Sequence, residues 1–231
     1  MFESDRPRIL VSYCGAGGSA MGWHRAGWEV WGVDIFPQPN FPWPERFIQA
    51  DALEYLFEHG GEYDAHDAGP PCQASTALTK GTNKSRGWGW THFDLIGDTR
   101  TVLEDWGLPY VIENVSGAQI RKDLTLCGEM FGLQVIRHRH FELGGWEMAQ
   151  PAHIPHRGRV AGYRHGEWFE GPYFAVYGDG GGKGTVQQWQ DAMGIHWTDV
   201  RKEIAEAIPP AYTEFIGRQL MEHITASEVA A

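Results

Sequence analysis

The chain has 231 residues, with 19 lysines and arginines against 30 aspartates and glutamates, so its formal net charge is −11 at pH 7. This length predicts one globular domain. The mean hydropathy of −0.40 and the lack of an apolar run near the ~18 residues of a membrane-spanning helix predict a soluble protein without a membrane partner. The acidic balance argues against a protein that coats nucleic acid nonspecifically.

The compartment is predicted from the first residues and the cysteines. Residues 1–8 are polar and carry both charge signs, which is not the pattern of a secretory signal. The three cysteines have no CxxC spacing. We therefore expect reduced thiols and a cytoplasmic location, which is the host cytoplasm if the gene belongs to a phage.

The first half of the chain alternates short β-rich runs with helical segments. Strands are predicted at residues 8–14, 28–35, 47–50, 63–68 and 110–115, and helices at 18–27, 52–59 and 95–106. Because strands and helices alternate at this pitch, the pattern predicts an α/β protein with a parallel sheet covered by helices on both faces.

The second half is less regular. Strands are predicted at residues 134–143 and 172–178, and helices at 186–193, 201–207 and 212–223. Residues 144–170 are rich in Pro, Gly, His and Trp without a clear period. They predict either a small irregular lobe or an elaborated loop. Five arginines against two glutamates give residues 137–165 a local charge of +3, and residues 80–86 add three cations.

A glycine-rich segment, Tyr-Cys-Gly-Ala-Gly-Gly at residues 13–18, follows a strand and opens a helix. Such a turn directs backbone N–H groups and the helix dipole towards a ligand. Gly15, Gly17 and Ala20 satisfy the GxGxxA variant of the dinucleotide fingerprint, and Asp34 ends the next strand, where a ribose-binding acid belongs. The segment predicts a site for a nucleoside-containing cofactor, with a plain strand-to-helix turn as the alternative.

Asp51 follows the third predicted strand. There it could accept a hydrogen bond from an adenine amino group, or it could cap the helix predicted at 52–59.

A second segment, Gly-Pro-Pro-Cys-Gln at residues 69–73, holds a thiol on a stiff turn. Its two prolines fix φ and remove two backbone donors, so Cys72 lies at the carboxyl end of a strand, the edge where open α/β sheets bind ligands. A thiolate there would be a nucleophile. A buried structural cysteine is the alternative, and it fits Cys14 and Cys127 better.

These segments belong to five short motifs that occur in order: residues 13–18, 69–73, Glu113-Asn114-Val115, Arg137-His138-Arg139 and 207–212. Over about residues 8–142 and 205–220 the chain resembles the cytosine-C5 DNA methyltransferases, as a compact member of prokaryotic or phage type. The resemblance implies a class I methyltransferase (Rossmann-like) fold with a doubly wound sheet. It implies methylation of cytosine C5 in double-stranded DNA from S-adenosylmethionine, through a covalent Cys–C6 adduct and base flipping.

The resemblance also divides the chain. Residues 1–142 would form the S-adenosylmethionine-binding and catalytic domain, residues 143–204 a reduced and irregular target-recognition lobe, and residues 205–231 a C-terminal helix that returns to the catalytic domain. A lobe this short predicts a short target sequence. No obligate protein partner is implied, and a monomer is expected.

Four residues would be catalytic by this resemblance. Cys72 would add to carbon 6 of cytosine, and Glu113 would bind the N3 and N4 edge of the base and protonate N3, which requires a raised pKa. Arg139 would contact the base or Glu113, while Arg137 supports the loop or a phosphate. The two arginines are predicted to lie on one face of a strand. The alternative is that this face is simply exposed to solvent and that the arginines have no catalytic role. Val135 stands where the family usually has Gln, which leaves the division between the arginines open.

The remaining implied contacts are to cofactor and substrate. Those to S-adenosylmethionine come from Tyr13, Gly15, Ala16, Gly17, Gly18, Asp34, Ile35, Asp51, Ala52, Pro71 and Tyr212. Those to substrate come from Gln73, Ser75, Lys80, Lys84, Arg86, Asn114, Arg157 and Arg159. Asn114 is expected mainly to orient the Cys72 turn. Residues 74–90 have the glycines, cations and tryptophans of a loop that closes over a flipped base.

No metal site is predicted. His153 with His156, and Cys127 with His138 and His140, could be zinc ligands, but they lack a tight paired-ligand spacing.

Three other functions stay open. The same chemistry could act on a free cytosine nucleotide or on RNA, as the acidic charge and the small lobe suggest. A noncatalytic, methyltransferase-like DNA-binding or regulatory module is a rival of another class, although Cys72 and Glu113 argue against it. A nicotinamide oxidoreductase would rest on the GxGxxA match alone.

Overall fold

A seven-stranded sheet forms the centre of the protein. The computed structural model describes residues 6–71, 95–178 and 184–230. The strands are β1 Arg8–Ser12, β2 Glu29–Asp34, β3 Phe47–Gln49, β4 Ala65–Ala68, β5 Tyr110–Asn114, β6 Leu124–Leu126 and β7 Arg139–Gly144. Their order across the sheet is β3-β2-β1-β4-β5-β7-β6.

The helices and a separate hairpin complete the described structure. The helices are α1 Gly18–Arg25, α2 Ala52–His59, α3 Ile96–Trp106, α4 Val186–Met193, α5 Arg201–Glu206 and α6 Pro210–Ala230. The hairpin pairs β8 Gly162–Arg164 with β9 Glu167–Phe169. In the described part of the chain, none of the helices is both long and apolar enough to pass through a membrane.

Strand direction brings the predicted site residues to one edge of the sheet. Strands β1 to β5 are parallel to one another, so their carboxyl ends meet at the same edge. Strand β7 is antiparallel and inserts between β5 and β6. The sheet is therefore mostly parallel, as predicted, but β7 reverses direction and β6 was not predicted.

Two apolar clusters cover the two faces of the sheet. Alternate residues of β1 belong to different clusters, because successive side chains of a strand point to opposite faces. Ile9 packs with Trp23 of α1 and Leu220 of α6, whereas Leu10 packs with Leu56 of α2 and Leu103 of α3. Helices on both faces are thus confirmed. A third cluster joins α4 and α5 to Val135.

Three predicted elements have different bounds in the structure. The strand predicted at 134–143 begins only at Arg139, since Gln134 instead accepts a backbone hydrogen bond from Phe174. The strand predicted at 172–178 is reduced to one bridge between Val160 and Tyr173. The last helix is longer than predicted and spans Pro210–Ala230.

Candidate active site

The glycine loop between β1 and α1 is a tight turn with open space on one side. Tyr13, Gly15 and Gly17 have positive φ angles of 60°, 50° and 84°. A Cβ on Gly17 would lie 2.7 Å from Pro42 Cδ, whereas a Cβ on Gly15 would meet nothing within 4 Å. Gly17 is therefore required by packing, and Gly15 leaves room for a ligand to approach the backbone.

Two neighbours of the loop support it from the other side. The Ala16 carbonyl accepts a hydrogen bond of 2.8 Å from Trp197 Nε1. A Cβ on Gly18 would lie 2.5 Å from the Ile208 carbonyl oxygen, so α1 begins directly against the segment that leads into α6. The loop is thus held by residues from the end of the chain.

The carboxylate of Asp34 fixes the loop to the end of β2. Its Oδ2 accepts from the Gly15 N–H at 3.0 Å, and its Oδ1 accepts from the Phe36 N–H at 3.0 Å. The next two side chains are open to solvent, Ile35 at 56% and Phe36 at 69% exposure. An oriented carboxylate beside exposed apolar side chains is a suitable surface for a nucleoside.

Asp51 caps α2, as its alternative interpretation predicted. Its Oδ1 accepts from the Leu53 N–H at 2.9 Å and from the Glu54 N–H at 3.1 Å. Both capping bonds go to the same oxygen. Ala52 is buried and belongs to the apolar cluster under α2. Asp51 itself is exposed at the carboxyl edge of the sheet.

A buried acid that the sequence analysis missed lies behind the loop. Asp67 of β4 accepts hydrogen bonds at Oδ2 from the Ser19 hydroxyl and, at 2.7 Å, from Trp23 Nε1. Burial raises the pKa of Asp67 to about 6. This acid ties the first turns of α1 to the sheet. The only feature of the sequence that indicates this role is the position of Asp67 inside a predicted strand.

The turn that leads to the predicted nucleophile is held by β5. Asn114 is buried, and its Nδ2 donates to the Pro70 carbonyl at 3.0 Å while its Oδ1 accepts from the Val115 N–H at 2.9 Å. Pro71 is exposed. Cys72, together with Gln73, Ser75, Lys80, Lys84 and Arg86 and the rest of the predicted closing loop, lies outside the described residues.

Glu113 lies one residue before the end of β5, beside this turn. Its side chain is 13% exposed, and its Oε2 lies 3.8 Å from where a Cβ on Gly69 would be. Oε1 is 2.8 Å from Arg139 Nε, but in the described part of the chain this oxygen accepts no hydrogen bond of acceptable geometry. Burial raises the pKa of Glu113 to about 7, although Arg139 and Arg137 act in the opposite direction.

The two arginines of the Arg-x-Arg motif have different surroundings. Arg139 lies in β7 and pairs with Glu113. Arg137 precedes the strand and is buried, with its guanidinium donating to the carbonyls of Val176 at 3.1 Å and Ala205 at 2.7 Å. The prediction that both share one strand face is therefore wrong. Arg137 lies before β7, and its guanidinium joins two distant backbone segments instead.

The predicted cofactor contact at Tyr212 also has a different environment. The side chain is fully buried, and its hydroxyl donates to the Arg137 carbonyl at 2.5 Å. The ring packs against Phe131 and Phe141. Because the hydroxyl and the ring are both occupied by the protein, Tyr212 acts as a core residue and not as a ligand contact.

Arg157 and Arg159, which were predicted to bind substrate, both contact other residues of the protein. Arg157 Nε lies 2.5 Å from Glu129 Oε1. The Arg159 guanidinium lies 4.8 Å from the centre of the Phe169 ring, and its Nε donates to the Glu170 carbonyl at 3.3 Å. The hairpin beside them carries Tyr163, which is 63% exposed.

This sheet, with five parallel strands followed by an antiparallel β7 between β5 and β6, is the class I methyltransferase fold, so the predicted fold class is confirmed. No protein-family model matches the chain, and no curated protein matches it in sequence.

The similarity to known proteins lies in the fold. The S. pombe Dnmt2 methyltransferase matches with a TM-score of 0.60 and 14% identity, over 95% of this chain and 99% of that one. The Entamoeba histolytica methyltransferase EhMeth matches with a TM-score of 0.55 and 12% identity, over 97% of this chain and 99% of that one. At these identities the matches establish a shared fold.

A third solved structure matches in part. It is described as a DNA modification methyltransferase encoded within an E. coli prophage, and it matches 59% of this chain at 19% identity with a TM-score of 0.44. This chain spans 46% of that protein's length.

Proposed function

We propose that the protein transfers a methyl group from S-adenosylmethionine to carbon 5 of cytosine in double-stranded DNA. The observation that carries the proposal is Glu113. Its largely buried carboxyl has one oxygen that accepts no hydrogen bond from the described residues, and it lies beside the Gly69-Pro70-Pro71 turn that precedes Cys72. The sequence motifs and the methyltransferase fold support the same reaction.

The residues around the glycine loop fit the cofactor. Space above Gly15 would admit the methionine part close to the backbone, and Asp34 would accept hydrogen bonds from the ribose hydroxyls. Asp51 Oδ2, which takes neither capping bond, would accept from the adenine amino group, with Ile35 against the ring. When bound, S-adenosylmethionine supplies an electrophilic methyl group on a sulfonium sulfur.

Cys72 would be the nucleophile. Carbon 5 of cytosine is a poor nucleophile, so the Cys72 thiolate first forms a bond to carbon 6 and moves electron density to carbon 5. Carbon 5 then takes the methyl group. Loss of the carbon 5 proton to a base expels the thiolate and restores the ring, so the enzyme returns unchanged.

Glu113 would make this addition possible. The ring accepts electrons from the thiolate only when N3 is protonated, and a carboxyl with a pKa near 7 carries that proton at neutral pH. Arg139 would then stabilise the carboxylate that remains, because its Nε lies 2.8 Å from Oε1. Burial raises the pKa of Glu113 and Arg139 limits the rise. Near neutral pH the carboxyl would therefore be able both to donate a proton and to accept one.

Recognition of the duplex would come from the lobe. A paired cytosine must leave the stack to reach Cys72. The β8–β9 hairpin presents exposed aromatic side chains, with the rings of Tyr163 and Trp168 5.2 Å apart, which could stack on or wedge between bases.

The test is transfer of labelled methyl groups to four substrates: duplex DNA of varied sequence, single-stranded DNA, RNA and free cytidine triphosphate. Wild type is expected to label duplex DNA as 5-methylcytosine, and Cys72→Ala to label nothing while still binding S-adenosylmethionine. DNA with 5-fluorocytosine at the target should trap a covalent complex, because fluorine cannot leave as a proton does. Labelling confined to RNA or to the nucleotide would overturn DNA as the substrate.

A further inference from the structure

Four potential metal ligands from three separate parts of the chain meet at one end of the sheet. Cys127 follows β6, and His138 directly precedes β7. His153 and His156 lie in the irregular segment 145–161 between β7 and β8. Cys127 is fully buried, His138 is partly buried, and the other two histidines are exposed.

The ligand atoms of the four side chains converge. One atom from each lies within 4.8 Å of all the others. His138 Nε2 is 3.0 Å from His153 Nε2, and Cys127 Sγ is 3.5 Å from His156 Nε2. In a tetrahedral zinc site, bond lengths of about 2.0 Å to nitrogen and about 2.3 Å to sulfur separate the ligand atoms by about 3.3–3.6 Å. Small side-chain rotations would therefore complete a tetrahedron.

We propose that Cys127, His138, His153 and His156 form a structural zinc site, which holds residues 145–161 against the end of the central sheet. One thiolate and three imidazoles are a ligand set that suits zinc and excludes magnesium and calcium, which prefer oxygen. Four protein ligands close the coordination sphere, so the ion stabilises structure and does not activate a water.

The segment that carries two of the ligands is anchored at Trp146, which lies in the core, and by the ion pair of Arg157 with Glu129, but it buries little apolar surface around the ligands themselves. Residues 145–161 contain no helix or strand, only one bridge at Val160. Ile154, between the two ligands, is 46% exposed, so apolar burial contributes little there. In small units without a core, metal binding supplies the free energy of folding. The ion would take this role for the segment.

The packing of the three imidazole rings supports an ion among them. The ring centres of His138, His153 and His156 lie 5.1–5.3 Å from one another. The Nε2 atoms of His138 and His153, 3.0 Å apart, can share only one proton between them. A divalent cation satisfies all three nitrogens and the thiolate at once.

The first experiment measures bound metal. The untagged full chain is produced with added zinc, dialysed against metal-free buffer and analysed for all transition metals, beside His153→Ala, His156→Ala and Cys127→Ser. His196→Ala is the matched control, because this exposed histidine lies outside the cluster. We expect about one zinc per chain in wild type and control, and less than about a tenth in each ligand variant.

A second measurement follows the segment itself. Arg157 and Arg159 are trypsin sites within it, and the Arg157 side chain is 61% exposed. Zinc should slow cleavage at these two sites about tenfold or more relative to the chelator-treated protein, and His153→Ala should lose this protection. Cobalt in place of zinc should give a thiolate charge-transfer band that Cys127→Ser lacks.

Two results would overturn the proposal. One is wild-type protein that holds less than about a tenth of an equivalent of zinc even after titration with zinc. The other is zinc retained equally by the ligand variants. A different transition metal that is lost in the same variants would keep the site and overturn zinc as its ion. None of these readouts uses methyl transfer, so they are independent of the proposed reaction.

Discussion

Asn114 donates a hydrogen bond of 3.0 Å to the Pro70 carbonyl, and so links the residue after Glu113 to the turn two residues before Cys72. The amide is buried and its oxygen is bound to the Val115 N–H, so it cannot easily rotate. Through this bond, the strand that carries the proposed acid also fixes the turn that leads to the proposed nucleophile.

Asn114→Ala should therefore slow the reaction while cofactor binding stays intact. Without the Nδ2 donor the Pro70 turn loses its link to β5, and a displacement of about 1 Å at a reacting atom can cost about 100-fold in rate. We expect kcat to fall about 10- to 100-fold and the Kd of S-adenosylmethionine to change little. Asn40→Ala, which removes a partly buried amide bonded to Glu203, is the matched control. An equal loss in both variants would contradict the positioning role.

Glu113→Gln should lower kcat by about 100- to 10,000-fold, because the amide cannot deliver a proton to N3. In wild type the protonated fraction of Glu113 falls as the pH rises through about 7, so the rate should decline on the alkaline side. The remaining activity of the variant should lack this decline. Steady-state rates of both proteins, measured in steps of about half a pH unit between pH 6 and pH 9, would test this pH dependence. A variant that keeps the alkaline decline would assign it to another group.

The same acid should make stability depend on pH. Its pKa is about 7 in the folded protein against 4.5 as the ordinary value, so the folded state binds the proton more tightly. The contribution of Glu113 to the free energy of unfolding should then decrease as the pH rises from about 4.5 to about 7 and level off above, opposite in sign to that of His66, whose pKa is lowered by burial to about 4. Glu113→Gln should remove this part of the slope and gain roughly 2–3 kcal/mol over wild type at pH 8. Urea unfolding measures both.

Asp67 gives the control for that measurement. Burial raises the pKa of Asp67 to about 6, a shift of the same sign as that of Glu113. The part of the pH dependence of stability that is due to Asp67 should therefore persist in the Glu113→Gln variant below about pH 6. Asp67→Asn in that background should remove this part, and an unchanged profile would mean that Asp67 does not contribute.

Asp51→Asn should separate capping from cofactor recognition. The asparagine side chain can still accept both capping bonds at its oxygen, so stability should change by less than about 0.5 kcal/mol. Its amide nitrogen would replace Oδ2 and oppose the adenine amino group, which should weaken S-adenosylmethionine about tenfold or more. Calorimetry of binding, with thermal unfolding beside it, distinguishes the two effects. Tight binding with normal stability would remove Asp51 from the cofactor site.

Arg137 and Arg139 should differ in what they lose on substitution. Arg137→Met leaves the carbonyls of Val176 and Ala205 without their donors, which should cost about 2–4 kcal/mol of stability. Arg139→Met instead removes the partner of Glu113 and should mainly lower methyl transfer. Equal losses of stability in the two variants would contradict this division.

Local signals in the sequence were sufficient for several elements. Helices α2 and α4 have the predicted bounds, because each carries its own start signal: Asp51 caps α2, and Thr185 forms a capping box with Gln188. Helix α4 ends at Gly194, which adopts a left-handed backbone conformation. Strands β1 and β2 were equally readable from their short β-rich runs, since such a run depends only on neighbours in the chain.

Other features depend on contacts between distant residues. Nothing near Arg137 indicates that its guanidinium binds the carbonyl of Ala205. The convergence of Cys127 with His153 and His156 likewise requires the fold to bring separate segments together. Tyr212 lies in a recognisable motif, but only the packing shows that its hydroxyl is used within the core.

The packing of α1 against α6 has a consequence for how the protein is made. A Cβ on Gly22 would lie 2.2 Å from the Pro210 carbonyl, and Trp28 Nε1 donates to the Gly217 carbonyl at 3.0 Å. While α6 is still inside the ribosome, the glycine loop has emerged but the buried faces of Trp23 and Trp28 lack their cover. The nascent chain would therefore expose the apolar faces of these two tryptophans until α6 has left the ribosome and can pack against α1.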